Sequence, residues 1–399
     1  MPITNGVIQA QLLPVLLESA RLGYATEVLE TTGRFDAQEK YRPEMEKKLT
    51  ETGIVLRKIN VPRFTFLPSI LYFSLQSHGL LKKQLATSAL EPTIIYARNY
   101  KFIPFLLWAN YFWHIPFIYS PRGAYVAERK HYRKIKDLAY GYFIGLLEKH
   151  ATQKSFATIV ETEQFKKHLA GLYQIDGKNI TVIPNYWDAS LLPEKNWDRD
   201  EMREKLGLSG KKIIVYTGTV EAWYAFEKMV ALVAQLRKKD PTIFFQLFLK
   251  EDYARTESLK IMQALPEIFE KYGLGKDAYA ISSYPPAERY FYLSACDASI
   301  CLTTTAEFKT MMLYLKIVDF WGAGLPVIAN KEIAAVRNVI ENSNTGAVVD
   351  YADWEESVAK IDPEKLFKKS ATYSQEIEKY SSEKVLPLYF NLFEKSFQE

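Results

Sequence analysis

Twelve short apolar runs recur along this chain, most of them separated by stretches with helical periodicity. In the first half they are ATEVLE (25–30), GIVLRKI (53–59), TIIYA (93–97), PFIYS (116–120), ATIVE (157–161) and ITVIP (180–184). In the second half they are KIIVYT (212–217), IFFQLFL (243–249), DAYAI (277–281), DASICL (297–302), LPVIA (325–329) and GAVVD (346–350). Near-continuous apolar runs alternating with helices are strands of parallel sheets covered on both faces. Twelve strands exceed one comfortable open sheet. The stretch PNYWDASLLPEKNW (184–197) contains Pro and Asn and lacks periodicity, as a linker does. The expected fold is therefore α/β, with two doubly wound, Rossmann-like domains over residues 1–184 and 185–371, facing each other across a cleft. The tail 372–399 is expected to be a helix packing back across both. Ligands of such sheets bind outside the carboxyl ends of the strands.

The opening departs from this pattern. A helix is expected over Ile8 to Leu22, stopped by Gly23, and no strand feeds it. In a doubly wound sheet that strand is central. The first domain is therefore expected to lack its first strand, with the native gene starting upstream.

With 399 residues, 48% of them apolar and 25% charged, the chain can bury a large core and is not a disordered one. Two cysteines, Cys296 and Cys301, lie in an apolar segment, which suits buried thiols in a reducing cytoplasm and excludes a disulfide framework. Five scattered histidines give no zinc spacing. The net charge of +4 hides an asymmetry: residues 1–170 hold 23 Lys+Arg against 14 Asp+Glu, and the remainder 28 against 33. A basic first half suits an anionic membrane face or a phosphorylated lipid acceptor, and no nucleic-acid motif accompanies it. The start MPITNGVIQAQ has neither the basic end nor the apolar core of a secretory leader. The segment FIPFLLWANYFWHIPFIYS (102–120) has the length of a membrane span, but Pro116 would leave backbone groups unmet in lipid. It is read as a helix to about Trp113 followed by a buried strand.

Chemistry concentrates in LKIVDFWGAGLPVIAN (315–330). A helix from Leu313 to Gly322 places Lys316 and Asp319 on one face, about 4.5 Å apart along the axis. The helix N-terminus favours a phosphate, Lys316 adds a full charge there, and Asp319 can accept from ribose hydroxyls. Gly322 and Gly324 permit a tight reversal, and Pro326 starts the next strand without needing an N–H. Taken alone, the pair reads better as a surface i,i+3 ion pair between Lys316 and Asp319 on an amphipathic helix.

The order strand, polar loop TTTAEFKT, helix and strand resembles the donor-sugar region of family-four retaining glycosyltransferases of the GT-B fold. Their Lys-x-x-Glu-Tyr, Gly and Pro-Val pattern corresponds to Lys316, Asp319, Phe320, Gly324, Pro326 and Val327 here. The resemblance extends to SPRGAYVAER (120–129), VIPNYWD (182–188), VYTGTVEAWY (215–224) and PAERYFYLSACDASICL (286–302). It implies transfer of a sugar from a nucleotide sugar to an acceptor hydroxyl with retention, in surface polysaccharide synthesis. It implies donor binding by Gly218, Thr219, Lys316 and Asp319. On the acceptor side, Arg98, Arg122, Gly123 and Glu128 follow strands of the first domain, where Arg98 or Arg122 could hold an acceptor phosphate and Glu128 a sugar hydroxyl. The resemblance names no protein nucleophile, so the catalytic side chain stays unassigned. It requires no metal or other cofactor beyond the nucleotide-sugar co-substrate.

The departures are specific. The family often carries a first glutamate that would fall on Met312, and an Arg and Lys after the glycine where Thr219, Glu221 and Trp223 stand here. Lys316 is then the main phosphate cation, or the chain is a non-catalytic GT-B protein that binds a partner enzyme or a glycan. Asp198-Arg199-Asp200 spells an Asp-x-Asp metal motif but precedes a helix, where acidic residues are ordinary caps. Arg122 could equally pair with Glu128. The basic run 129–136, joined to the aromatic-rich segment 65–75, suggests a membrane-surface patch on a cytoplasmic protein, peripheral at the inner face of the plasma membrane.

Overall fold

The computed structural model describes residues 6–32, 42–60, 66–87, 92–121, 123–132, 135–193, 197–249, 256–343, 345–368 and 371–398. They fold as two compact units, Met1–Pro184 with Val385–Glu399, and Asn185–Lys384. Each of the twelve apolar runs overlaps a strand, and every pairing is parallel.

The first unit holds β1 (Glu27–Thr32), β2 (Val55–Asn60), β3 (Ile95–Arg98), β4 (Phe117–Ser120), β5 (Ala157–Val160) and β6 (Ile180–Val182). Its helices include α1 (Leu13–Arg21), α2 (Arg42–Glu51), α3 (Phe66–Thr87), α4 (Ile103–Trp113), α5 (Ile135–Lys154) and α6 (Glu163–Tyr173). The strands form two sheets, β1–β2 and β3–β4–β5–β6. The expected opening helix is two helices, Gly6–Gln11 and α1. Pro14 explains the interruption: without an N–H it cannot bond back to the previous turn, and it sits instead in the first turn of α1.

The segment that imitates a membrane span resolves as α4 followed by β4. His114 adopts φ +52° to end the helix, and all four residues of β4 are buried. Among the described residues no helix is long and apolar enough to cross a membrane.

The second unit holds β7 (Lys212–Gly218), β8 (Ile243–Leu249), β9 (Tyr279–Ser282), β10 (Ala298–Cys301), β11 (Val327–Asn330) and β12 (Gly346–Val349). They form one sheet in the order β12-β11-β10-β7-β8-β9. The order reverses between β7 and β10, which makes the carboxyl ends of these two strands the natural ligand position. Its helices include α7 (Arg199–Lys205), α8 (Phe226–Lys239), α9 (Arg289–Ser294) and α10 (Leu315–Gly322). β8 is buried along its whole length, so its one polar side chain needs a partner. Gln246 finds it in Ser282 Oγ of β9, 3.0 Å away. Met229, Leu232, Val233 and Leu236 of α8 join that core.

The tail is two helices rather than one: Ala371–Glu378, then α11 (Ser382–Ser396). The turn between them pairs with the stretch after Pro184. Trp187 N–H donates to Tyr380 O at 2.9 Å, and Ser382 N–H donates to Trp187 O at 2.8 Å. Residues 185–193 are thus held by hydrogen bonds and are not a loose linker. From Val385 onward α11 belongs to the first unit, where Phe390 stacks on Tyr24 at 6.0 Å and Tyr389 meets Tyr96 at 6.1 Å.

Candidate active site

Lys316 and Asp319 do lie in the first two turns of α10, but they do not pair with each other. Lys316 Nζ donates to the Tyr216 hydroxyl at 2.8 Å and lies 4.0 Å from the Tyr216 ring centroid and 3.7 Å from that of Tyr224. Tyr216 OH in turn donates to Thr219 O at 2.7 Å. Burial holds the Tyr216 hydroxyl well above the usual tyrosine range, so it stays protonated and can serve both partners. The chain Lys316–Tyr216–Thr219 fastens α10 to the loop after β7.

Gly218 ends β7 with φ +111°, which an L side chain rarely adopts. A Cβ there would lie 3.3 Å from Lys316 Nζ. Glycine therefore serves two needs: the backbone turns, and the ammonium lies directly over the main chain. The loop after β10 closes the other side. Tyr224 bridges Thr303, and Thr304 N–H donates to Trp223 O at 2.8 Å. Lys309 Nζ lies 4.0 Å from the Trp223 ring centroid. Asn185 donates through Nδ2 to Leu313 O, fixing the approach to α10. The N-cap residue Tyr314 offers no side-chain acceptor to the first turn. The result is an ammonium, a glycine turn and a helix N-terminus at the carboxyl ends of β7 and β10.

Asp319 has structural partners of its own. Its Oδ1 accepts from Arg289 Nε at 3.0 Å and from Tyr290 OH at 2.8 Å, both on α9. Tyr290 OH also accepts from Asp188 N–H at 3.2 Å. Burial works against the Arg289 charge, but the adjacent Asp319 and tyrosine oxygens outweigh it, and the guanidinium pKa rises. Gly322 has a different reason from the expected one. Only Gly324, at φ +70°, makes the left-handed turn. Gly322 is small because a Cβ would meet Trp187 Cβ at 2.8 Å.

In the first unit, Arg98 ends β3 beside Ser120 of β4 and is buried. Its Nη2 donates to Gln11 Oε1 at 2.5 Å, while Nε and Nη1 are buried with no hydrogen-bond partner. The next residue, Asn99, has φ +115°, an unusual value for a non-glycine residue. Its side chain accepts from Lys101 N–H at 3.1 Å and donates to Tyr125 OH at 3.4 Å. Gly123 is half-buried after β4, and Glu128 is half-buried on the helix Tyr125–Tyr132. Arg122 lies outside the described residues, and with it the pairing expected with Glu128.

The Asp-x-Asp triplet is a helix start. Asp198 Oδ1 accepts from Asp200 N–H at 2.8 Å and Glu201 N–H at 3.1 Å, and Arg199 turns away to Asp297. Among the described residues no group of His, Cys, Asp and Glu could hold a metal ion. Both cysteines are free and buried, and burial pushes the Cys301 thiol up to about 11.

Sequence reasoning missed Tyr216, Arg289 and Tyr290. All three lie inside segments that had been singled out, yet nothing in their spacing points to Lys316 or Asp319.

Comparison with known proteins now bears on this geometry. Residues 16–191 match the sequence profile of Glycosyltransferase Family 4. The match covers less than half of the chain and falls almost wholly in the first unit. No curated protein sequence matches the chain. Solved GT-B structures resemble it over most of its length. Sucrose-phosphate synthase from Thermosynechococcus elongatus has TM-score 0.69 at 14% identity, covering 94% of this chain and 99% of that one. Anabaena HepE in complex with UDP and glucose has TM-score 0.67 at 14% identity, covering 93% and 99%. A glycosyltransferase from Rickettsia africae has TM-score 0.67 at 16% identity, covering 99% and 96%. The glycosyltransferase assignment and the two-unit parallel-sheet architecture thus agree with the sequence reading.

Proposed function

We propose that this glycosyltransferase moves a sugar from a nucleoside-diphosphate sugar, with retention at the anomeric carbon, to a hydroxyl of a glycan or lipid-phosphate-linked acceptor in surface polysaccharide synthesis. The observation that carries this reading is the Lys316 ammonium lying over Gly218 at the point where the sheet order reverses. A diphosphate bound there meets the ammonium, the amides after Gly218 and the first turn of α10. In the reaction the bond from C1 to the phosphate oxygen breaks, and the bond from C1 to the acceptor oxygen forms on the same face. The acceptor proton leaves with the departing phosphate. Charge growing on that phosphate is what Lys316 stabilises, and donors fixed in advance are effective because they need not reorganise during the reaction. In this reading Lys316 and the backbone amides do the work without a metal. HepE, solved with UDP-glucose, supports a nucleotide sugar as donor.

Asp319, with Oδ1 committed to Arg289 and Tyr290, offers its other oxygen to the ribose. Arg98, with Nε and Nη1 buried and unmet, is the acceptor-side residue that an anionic group would satisfy. Thermal shift and slow donor hydrolysis against a panel of nucleotide sugars test the reading. A shift with one nucleotide class, with turnover, and loss of both in Lys316→Ala is the expected result. The anomeric configuration of the product, read by NMR, checks retention. No shift with any nucleotide sugar, in a protein shown to be folded, would overturn it.

A further inference from the structure

Arg98 is a buried charge that its own unit leaves unbalanced. It is 7% exposed, and among the described residues no carboxylate pairs with it. Its hydrogen bond runs from Nη2 to the neutral carboxamide oxygen of Gln11, while Nε and Nη1 have no partner. A guanidinium carries Nε–H and one Nη2–H side by side on one edge, spaced for two oxygens of a single anion. Gln11 Oε1 meets half of that edge. Buried charges are ordinarily paired, and an N–H left unmet in the interior costs its full desolvation energy. The arrangement is a bidentate anion seat with one neutral oxygen in the anion's place. The next residue is strained. Asn99, with φ +115° and ψ +141°, lies in a region that glycine enters freely and other residues enter at a cost. The strain keeps a side chain where glycine would supply none. Oδ1 accepts from Lys101 N–H at 3.1 Å, and Nδ2 donates to Tyr125 OH at 3.4 Å. Tyr125 opens the helix Tyr125–Tyr132 and stands edge-on to Tyr100, with ring centroids 4.5 Å apart. Asn99 thus ties the end of β3, which carries Arg98, to the segment after β4.

We propose that the Nε–Nη2 edge of Arg98 seats a phosphate group of the acceptor, that Gln11 holds the seat until the phosphate displaces it, and that Asn99 positions the edge. This rests on the reading of Arg98 as an acceptor-side residue, and not on the donor site. Gln11 ends the helix Gly6–Gln11 and is 3% exposed, so its carboxamide is held against the guanidinium rather than in solvent. The exchange replaces one hydrogen bond to a neutral oxygen by two to charged oxygens, which are the stronger kind. It also neutralises a buried charge. Residues 1–170 hold 23 Lys+Arg against 14 Asp+Glu, an excess that attracts a phosphate. The side chains of the basic run 129–136, expected as a surface patch, lie outside those described.

The test is a thermal-shift titration of the full chain with inorganic phosphate in a Lys316→Ala background, where the donor site has lost its main cation. Phosphate should raise the melting temperature. Gln11→Glu places a carboxylate on the same edge. Without phosphate its melting temperature should rise above the parent's, and its phosphate affinity should fall by about 10-fold or more. Asn99→Gly removes the strain together with the side chain. Its melting temperature without phosphate should be no lower than the parent's, while phosphate affinity falls several-fold. A merely structural asparagine would lose stability and leave that affinity alone. Tighter binding of glycerol 3-phosphate or of farnesyl phosphate than of inorganic phosphate supports the seat, and which of the two binds tells a soluble acceptor from a lipid-linked one. Phosphate affinity unchanged in both variants, or no phosphate binding by a Lys316→Ala protein that melts cooperatively, overturns the proposal. Donor hydrolysis by the chain with Lys316 intact is a separate readout, so the donor reading can stand or fall independently.

Discussion

Lys316 reaches Gly218 because two tyrosines hold it there. Tyr216 accepts its hydrogen bond, and the rings of Tyr216 and Tyr224 flank the ammonium. Lys316→Ala should abolish the donor-induced thermal shift and cut turnover by about 100-fold or more, the scale of losing a preorganised charge-stabilising donor. Tyr216→Phe keeps the ring under the ammonium and removes the hydroxyl's two hydrogen bonds, to Lys316 and Thr219, each worth about 1 kcal/mol. Its donor affinity should fall several-fold, measured by the same titration. Asp319 invites a different measurement. Its side chain is 13% exposed and that of Arg289 11%, so removing the carboxylate leaves a nearly buried charge unpaired. Asp319→Ala should lower unfolding free energy by about 3–5 kcal/mol in urea, whereas Asp319→Ala/Arg289→Met should recover much of that loss without restoring donor binding. Recovery of both would remove Asp319 from the donor site. Lys316 was legible because its helix, glycines and following strand are contiguous. Tyr216 was not, because its partner is 100 residues away and no periodicity connects them.

At the scale of elements, period and length carry most of the strands, since a run such as IFFQLFL has no face to turn to solvent. What they do not carry is breakage. Pro14 ends one helix and starts another, and pairing of Trp187 with the turn before α11 divides the tail. The second effect depends on a contact between distant segments and leaves no local mark. The same holds for Glu148 of α5, an acid placed among apolar residues. It is fully buried, with Tyr119 OH 2.7 Å from Oε1 and Tyr173 OH 2.6 Å from Oε2. Burial raises its pKa above 4.5 despite both hydrogen bonds. The folded protein then binds this proton more tightly than the unfolded chain does. The contribution to stability is complete below the ordinary carboxyl value and is lost as pH rises through the folded value. Glu148→Gln should remove that slope and make the first unit more stable than wild type near neutral pH, read from urea midpoints across pH. A variant with the wild-type slope would show that another group sets it.

For the whole molecule, the two-unit organisation is read most directly from the chain path. The polypeptide leaves the first unit after Pro184 and returns at Val385. The returning segment buries Tyr389, Phe390 and Phe393, and meets Tyr24 and Tyr96. Deleting Val385–Glu399 should destabilise the first unit by several kcal/mol, since each large buried side chain is worth about 1.5–3 kcal/mol. Tryptophan fluorescence and proteolysis should show that loss first between residues 6 and 184, with the second unit's melting temperature unchanged. Alternation of strands and helices made two α/β units legible from sequence, but not the division of the first unit's strands into two sheets. It could not show that the first unit is assembled from both ends of the chain.

That chain path has a practical consequence for dissection. The second unit is one uninterrupted piece, so a single reading frame covering residues 185–384 encodes all of it. The first unit cannot be cut out in the same way. A fragment ending at Pro184 lacks the segment that fills its own core, and a peptide spanning residues 385–399, supplied separately, becomes a reagent that should complement it.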